Sequence, residues 1–433
     1  MFQSWTLIIV PTILSYIYLA STLRHRRVKA MHQKYPYPTR DSFCTMTVAD
    51  AHAIHNSLAQ YEFPKVFSSA TMFALFKARP PSSAPPLLPK YEPHQANTTT
   101  ARRPQQAYGI PSISSLLVTT GQFTNNNTSS KRVADTSALL LEAALNPPGS
   151  SRSTAAIARI NYLHNRHRAR GTITGPDLLY TLSLFALEPS RWVARYEWRA
   201  LTDMELCALG TFWKSMGDAL EVPYDALHSH SSGWRDGLEW LQELRNWSRE
   251  YEEKHMVPAA SNKRLADATL DLLLWKVPRG LHGVGKNVAA TVLEERLRAA
   301  MMIDAPPRIY DRIFNAVITI RKLVLRYLSL PRRRGVQYLT TPTPSGRLHL
   351  RRYRGHPWYV EPTVKNRWGV SAWLTWWRGG ALPGDEGEKY APEGFLCAEV
   401  GPSGLQNKGL QEMEEDRERM MKLSRGGCPF ALL

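Results

Sequence analysis

The chain is poor in cysteine. Its 433 residues hold four, Cys44, Cys207, Cys397 and Cys428, far apart and with no CxxC pair. That excludes a disulfide framework and a cysteine zinc site, and it fits a reducing compartment. HExxH and GxSxG are absent, which removes the common zinc-protease and serine-hydrolase readings. No finger spacing, RNP-like strand or basic leucine zipper is present. The formal charge of +18, from 55 basic and 37 acidic side chains, is therefore read as a basic membrane-facing surface, with no nucleic-acid partner. No run of alternating residues suggests a sheet of any size, and no internal repeat occurs. What remains, 43% hydrophobic and 21% charged, is the composition of a folded protein.

Charge is also missing from the N-terminus, where nothing ionises before Arg24. Trp5 to Ala20 is apolar apart from Ser and Thr, and the basic run Arg24 to Lys29 follows it. Counted from Met1, the stretch just reaches the ~20 apolar residues that span a bilayer. A cleaved signal peptide has its positive charge before the apolar run, so this order reads as a retained anchor. The expectation is a transmembrane helix over residues 1–23, with Met1 luminal and Arg24 onward cytosolic. The sequons at Asn97, Asn126, Asn127 and Asn246 would then stay unglycosylated. Residues 24–46, which include Tyr35-Pro36-Tyr37-Pro38, read as a linker.

From residue 47 to 330 the pattern is helical, so the fold class is all-α. Thr47 with Asp50 marks a helix over Val48–Gln60, and Pro64 opens Pro64–Lys77. Helices follow at Pro111–Thr120, Ser130–Leu145, Ser153–Arg168, Gly175–Arg195, Asp203–Leu220, Trp234–Glu253, Lys263–Trp275, Asn287–Met302 and Arg308–Leu328. Thr174 with Asp177 and Thr202 with Glu205 have capping-box spacing. Residues 78–107, rich in Pro, Ser, Thr and Gln, have no apolar period. They read as a disordered surface insertion or a retained intron. Residues 331–433 are irregular and basic. Arg332-Arg333-Arg334 and Arg351-Arg352, beside aromatic residues, suit anionic headgroups.

Chemistry centres on two helices. In Ser153–Arg168, Ile157, Ile160 and His164 share one face. A lone histidine on such a face is most often a satisfied core residue. The alternative is an axial ligand, because neutral imidazole binds haem iron and a porphyrin packs on apolar surface. In Ser130–Leu145, Arg132 and Thr136 lie four residues apart, with Asp135 between them and Leu139, Leu140 and Ala143 below. Over a haem, Arg132 would orient dioxygen or pair with a propionate, and Thr136 would donate a hydrogen bond. The bland reading is a solvated first turn.

Other groupings carry less. Gly280 to Lys286 lacks the phosphate-loop spacing and has no preceding strand, so it reads as a helix–helix turn. His228 and His230 flank one serine in a loop, where chance outweighs metal binding. Arg191, Arg195, Glu197 and Arg199, with Trp192 and Trp198, read as a structural ion-pair network.

The runs Lys131–Thr136 (KRVADT), Ala158–His164 (ARINYLH), Asp177–Leu220, Tyr108–Phe123 and Pro357–Gly369 resemble the fungal endoplasmic-reticulum-bound oxygenase MpaB family. The likeness covers roughly residues 34–369 apart from the insertion. That family is distantly related to the catalytic domain of the rubber oxygenases, or latex clearing proteins. The resemblance implies a globin-like multi-helix domain with haem b and oxidative cleavage of a carbon–carbon double bond in an isoprenoid or other lipid-like substrate. It also implies dioxygen as co-substrate, a role in secondary metabolism, and a place in the endoplasmic reticulum membrane. The axial histidine would fall on His164, and the distal arginine and threonine on Arg132 and Thr136. Asp135 stands where some members have a distal lysine, and a carboxylate cannot serve as the same sixth ligand. The competing readings are a catalytically inactive membrane-anchored relative and a non-haem iron oxidoreductase using His164 with carboxylates. Mono- or dioxygenation and the need for a reductase stay open.

Overall fold

The computed structural model of the chain describes residues 2–78, 126–275, 277–423 and 427–430. Several helices start where a side chain satisfies otherwise free N–H groups. Thr47 accepts from the Asp50 amide at 3.1 Å, Thr174 from Asp177 and Thr202 from Glu205. At the last two the carboxylate returns to the threonine N–H, completing both expected capping boxes.

The helices are α1 (Phe2–Lys34), α2 (Val48–Ser57), α3 (Pro64–Ala78), α4 (Asn126–Leu145), α5 (Ser151–Arg168), α6 (Gly175–Tyr196), α7 (Asp203–Ala219) and α8 (Gly237–His255). They continue with α9 (Ala260–Leu274), α10 (His282–Val292), α11 (Glu295–Ala300), α12 (Arg308–Leu323), α13 (Val364–Trp368), α14 (Val370–Trp377) and α15 (Leu410–Leu423). Two boundaries differ from expectation. The second helix leaves α geometry at Leu58–Glu62, a π-helical turn, and the helix expected over Asn287–Met302 is broken between Val292 and Glu295. The helix expected at Pro111–Thr120 lies outside the described residues. Nearly all of residues 78–107 does too.

At the centre is α7, buried along most of its length, with α2 and α8 against it. It meets α8 backbone to backbone. A Cβ on Gly210 would lie 1.9 Å from the Gly237 carbonyl oxygen, so only glycine permits the approach. Helix α6 joins α3 and α8, and a second apolar cluster gathers around Tyr180, Leu184, Leu265 and Leu297. The chain after residue 331 has two isolated antiparallel bridges, Leu339 to Leu350 and Leu348 to Phe395. Its α15, not anticipated from the sequence, packs on α5.

The expected transmembrane anchor is corrected. Among the described residues, no helix is long and apolar enough to cross a membrane. Polar and ring-bearing residues (Pro11, Thr12, Ser15, Tyr16, Tyr18) interrupt the apolar run, and α1 continues past it to Lys34. The later half of α1 is docked on the protein. Ala20, Arg24 and Met31 are buried, Tyr16 donates to the Leu328 carbonyl at 2.9 Å, and Arg24 donates to the Ser329 carbonyl at 2.8 Å. The supposed linker is thus partly helix and partly core.

The side-chain groupings judged weak from sequence are placed accordingly. Arg191 pairs with Glu188, Arg199 with Glu205, and Arg321 with Glu197, and Arg195 lies over Tyr196. Gly280 to Lys286 is a short 3-10 turn leading into α10. His228 and His230 lie on an exposed turn. Among the described residues, no three His, Cys, Asp or Glu side chains are placed to hold a metal ion.

Candidate active site

The site begins with a helical hairpin. Asn146, Pro147, Pro148 and Gly149 break the chain after α4, and Ser150 caps α5 through the Ser153 amide. The buried Glu142 carboxylate receives Arg152 through two hydrogen bonds, one of 2.9 Å from Nε, and Ser153 Oγ donates to the Ala143 carbonyl at 2.9 Å. These links fix an antiparallel register. Ten residues earlier on α4 and about as many later on α5, that register brings Arg132 towards His164.

Helical spacing gives α5 two working sides. On one stand Ile157, buried in the core, and Ile160, half-buried against it. His164 follows on the same side, one turn on. Part of its surface stays open, yet protein encloses it closely enough that desolvation, with Arg168, His167 and Arg132 adding positive potential, pushes its pKa down to about 3. The ring is therefore neutral at any ordinary pH. It makes no hydrogen bond with a described residue. His167, three residues on, is buried and bonded to Thr172.

The opposite side of α5 holds the C-terminal chain. Arg159 is fully buried and donates to the carbonyls of Val400 (2.9 Å), Leu405 (2.8 Å) and Lys408 (3.0 Å). Gly409 has φ +73° and presses on the Tyr162 ring, where a Cβ would come within 2.0 Å. Asn161 bridges the Ala219 carbonyl and Asp416. Sequence reading missed Arg159, although its signal was present: a lone cation within the apolar part of α5, inside the ARINYLH run.

The three polar residues of α4 divide. Arg132 is half-buried and within electrostatic reach of His164. Thr136 is half-buried, and its hydroxyl donates to the Arg132 carbonyl at 2.9 Å, so its proton is used within the helix. Asp135 is turned elsewhere. Its carboxylate takes Lys131 at 2.8 Å and the Tyr359 hydroxyl at 2.7 Å, while Lys131 also donates to the Gly401 carbonyl. Burial raises the Asp135 carboxyl against the pull of Lys131. Ser130 meets His356 and Trp358 alongside. The KRVADT and PWYV runs, far apart in sequence, are thus in contact, a pairing not visible in the sequence.

A neutral, partly accessible imidazole with no hydrogen-bond partner among the described residues is chemically suited to coordinate an iron through its nitrogen lone pair. The cation on the facing helix suits a negatively charged substituent, and Ile157 and Ile160 on the same side of α5 pack into the core. The donor chemistry of His164 fits a haem iron. Three carboxylate or imidazole ligands for a bare iron ion are not assembled around His164 among the described residues.

Comparison with known proteins gives three close relatives. ER-bound oxygenase mpaB' of Penicillium brevicompactum is 39% identical over 430 residues, covering 98% of this chain and 95% of that protein. ER-bound oxygenase mpaB of the same species is 37% identical over 393 residues, covering 90% and 86%. ER-bound oxygenase mpaB of Penicillium roqueforti (strain FM164) is 42% identical over 298 residues, covering 69% and 90%. No family model matches the chain.

Proposed function

The chain belongs to the MpaB family of ER-bound oxygenases, and from that premise we propose that it is a haem b-dependent oxygenase with His164 as the iron ligand. The observation that carries this reading is the His164 ring, neutral, partly accessible, without a hydrogen bond to any described residue and within electrostatic reach of Arg132. When bound, the haem supplies iron redox chemistry with dioxygen. The chain's own groups do the rest. His164 offers a lone pair that is never lost to a proton above about pH 3. Arg132 sets a permanent positive charge across from it. Thr136 presents hydroxyl lone pairs beside that charge, and Ile157 and Ile160 keep water from the helix face. Asp135 positions α4 against Tyr359 and takes no direct part.

The substrate is a lipid-like or prenylated small molecule whose carbon–carbon double bond is cleaved oxidatively to carbonyl ends. Support for the double bond is the sequence resemblance of the KRVADT and ARINYLH runs alone. Attachment is to the endoplasmic reticulum membrane, through a surface rather than a spanning helix. Ile9 and Ile13 on α1 and Ile309, Ile313, Val317 and Ile320 on α12 are exposed, and the turn at Val324–Leu328 joins the two helices. Arg308, Arg312, Arg321 and Lys322 accompany the α12 stripe, as in helices that lie in the headgroup region. Trp368, Trp373, Trp376 and Trp377 are exposed on α13 and α14, a residue type favoured at such interfaces.

Haem content of the purified full chain tests the proposal. The wild type should carry about one haem per chain, and His164→Ala should carry almost none while keeping its helical circular dichroism. An equal Soret band in both removes His164 as ligand. Absence of haem from both, after haem-supplemented expression, removes the haem.

A further inference from the structure

A second cavity lies away from His164. It sits between α3, α6 and α9–α11, with a volume of about 240 Å³. Met72, Trp192, Leu270, Val292 and Met301 are among its walls, which are almost wholly apolar. None of His164, Arg132, Thr136 and Asp135 lines it. One charged side chain does, that of Arg354.

Arg354 is half-buried and makes neither a hydrogen bond nor an ion pair with any described residue, whereas its neighbours Arg351 and Tyr353 are bonded to the Leu339 and Ala381 carbonyls. Desolvation lowers its pKa, with no carboxylate opposing the shift. A guanidinium does not give up its proton at any ordinary pH, so the charge stays at the edge of the apolar cavity, with no carboxylate of the described residues paired to it.

We propose that this cavity binds a single-chain amphiphile with a terminal carboxylate, the chain lying among the apolar walls and the carboxylate paired with Arg354. One guanidinium and no second cation match a monoanion, which it can meet through two parallel hydrogen bonds. The volume falls just below the ~300–1,000 Å³ usual for drug-sized ligands, which suits a chain better than a ring system. The outer side of α10, which walls the cavity, exposes Val284 and Val288, an apolar approach for a lipid. The site is independent of the haem reading.

Trp192 supplies the probe. The full chain in neutral detergent is titrated with 11-bromoundecanoic acid and, separately, with 11-bromoundecanol, and tryptophan quenching is followed. The acid should quench saturably and bind at least tenfold more tightly than the alcohol, and Trp192→Phe should remove most of the signal. Arg354→Gln should weaken the acid at least tenfold and leave the alcohol unchanged, so that the alcohol reports an intact cavity. Equal binding of acid and alcohol by the wild type, no saturable quenching, or an unchanged acid affinity in Arg354→Gln overturns the proposal. If Arg354→Gln loses both ligands, Arg354→Lys decides: a retained preference for the acid supports the site, and a lost preference overturns it.

Discussion

Two histidines of this protein are driven to the same pKa of about 3 by burial, and they are not alike. His55 on α2 is 5% exposed, stacked on Phe212 at 4.4 Å and met edge-on by Phe67 and Trp213. Among the described residues His164 on α5 has no ring against it and no hydrogen bond, part of its surface is accessible, and Arg132 lies within electrostatic reach. A depressed pKa alone therefore does not mark a ligand. What distinguishes the two is enclosure: aromatic rings surround His55, although its Nδ1 has no hydrogen-bond partner among the described residues, whereas part of the surface of His164 stays accessible.

The largest effect expected from breaking this comparison is on activity. His164→Ala should lower turnover more than ~100-fold, beyond the range seen when only supporting groups around a metal are lost. Its melting temperature should fall less than that of His55→Ala, because His164 is half-buried where His55 is fully enclosed. A melting temperature that falls as far as the activity does would make His164 a second His55.

Next comes the opposite side of α5. Arg159→Met leaves three carbonyls without their donor, two of them buried, and should cost about 3–5 kcal/mol in chemical denaturation. Limited proteolysis should then cut first within residues 400–423. If the variant unfolds as the wild type does, the C-terminal chain is not held by this clamp.

His55→Ala should cost about 2–4 kcal/mol through the cavity it leaves among aromatic rings, with haem content per folded chain unchanged. Loss of haem at constant fold would erase the distinction between the two histidines.

The smallest effect is the pH dependence. His55 has a folded pKa below its unfolded value of ~6.5, so the unfolded chain binds the extra proton between about pH 6.5 and 3. Stability from this group is present above pH 6.5 and is lost as pH falls, by roughly 2 kcal/mol at pH 5. His52, lowered in the same direction by burial, adds to the trend. Urea midpoints at pH 7 and pH 5 measure the loss, and His55→Phe should shrink it. An unchanged slope in that variant shows that other groups carry the acid sensitivity.

Much of the helical part was legible because its signals are local. Thr174 with Asp177 and Thr202 with Glu205 announce their helices within four residues, and Ile157, Ile160 and His164 declare a shared face by spacing alone. The approach of Arg132 to within electrostatic reach of His164 was half legible: each residue stood out on its own helix, but their proximity depends on the Glu142–Arg152 register. What stayed hidden is non-local. Asp135 looked like a companion of Arg132 until Tyr359, over two hundred residues away, claimed its carboxylate. Arg159 reads as one more basic residue until Val400, Leu405 and Lys408 supply its acceptors. The N-terminal helix misled for a different reason. Hydropathy records how apolar a stretch is, and it does not record that the next turns dock Arg24 and Met31 on the protein.

The most direct test of His164 as the open, ligand-seeking histidine is chemical rescue. His164→Gly, expressed with haem supplementation, is titrated with free imidazole and followed at the Soret band. Recovery of the wild-type spectrum at saturating imidazole, with no such recovery in an Arg132→Ala, His164→Gly double variant's oxygenase activity, is the expected result. A His164→Gly protein that already carries the wild-type Soret band, and does not respond to imidazole, contradicts it.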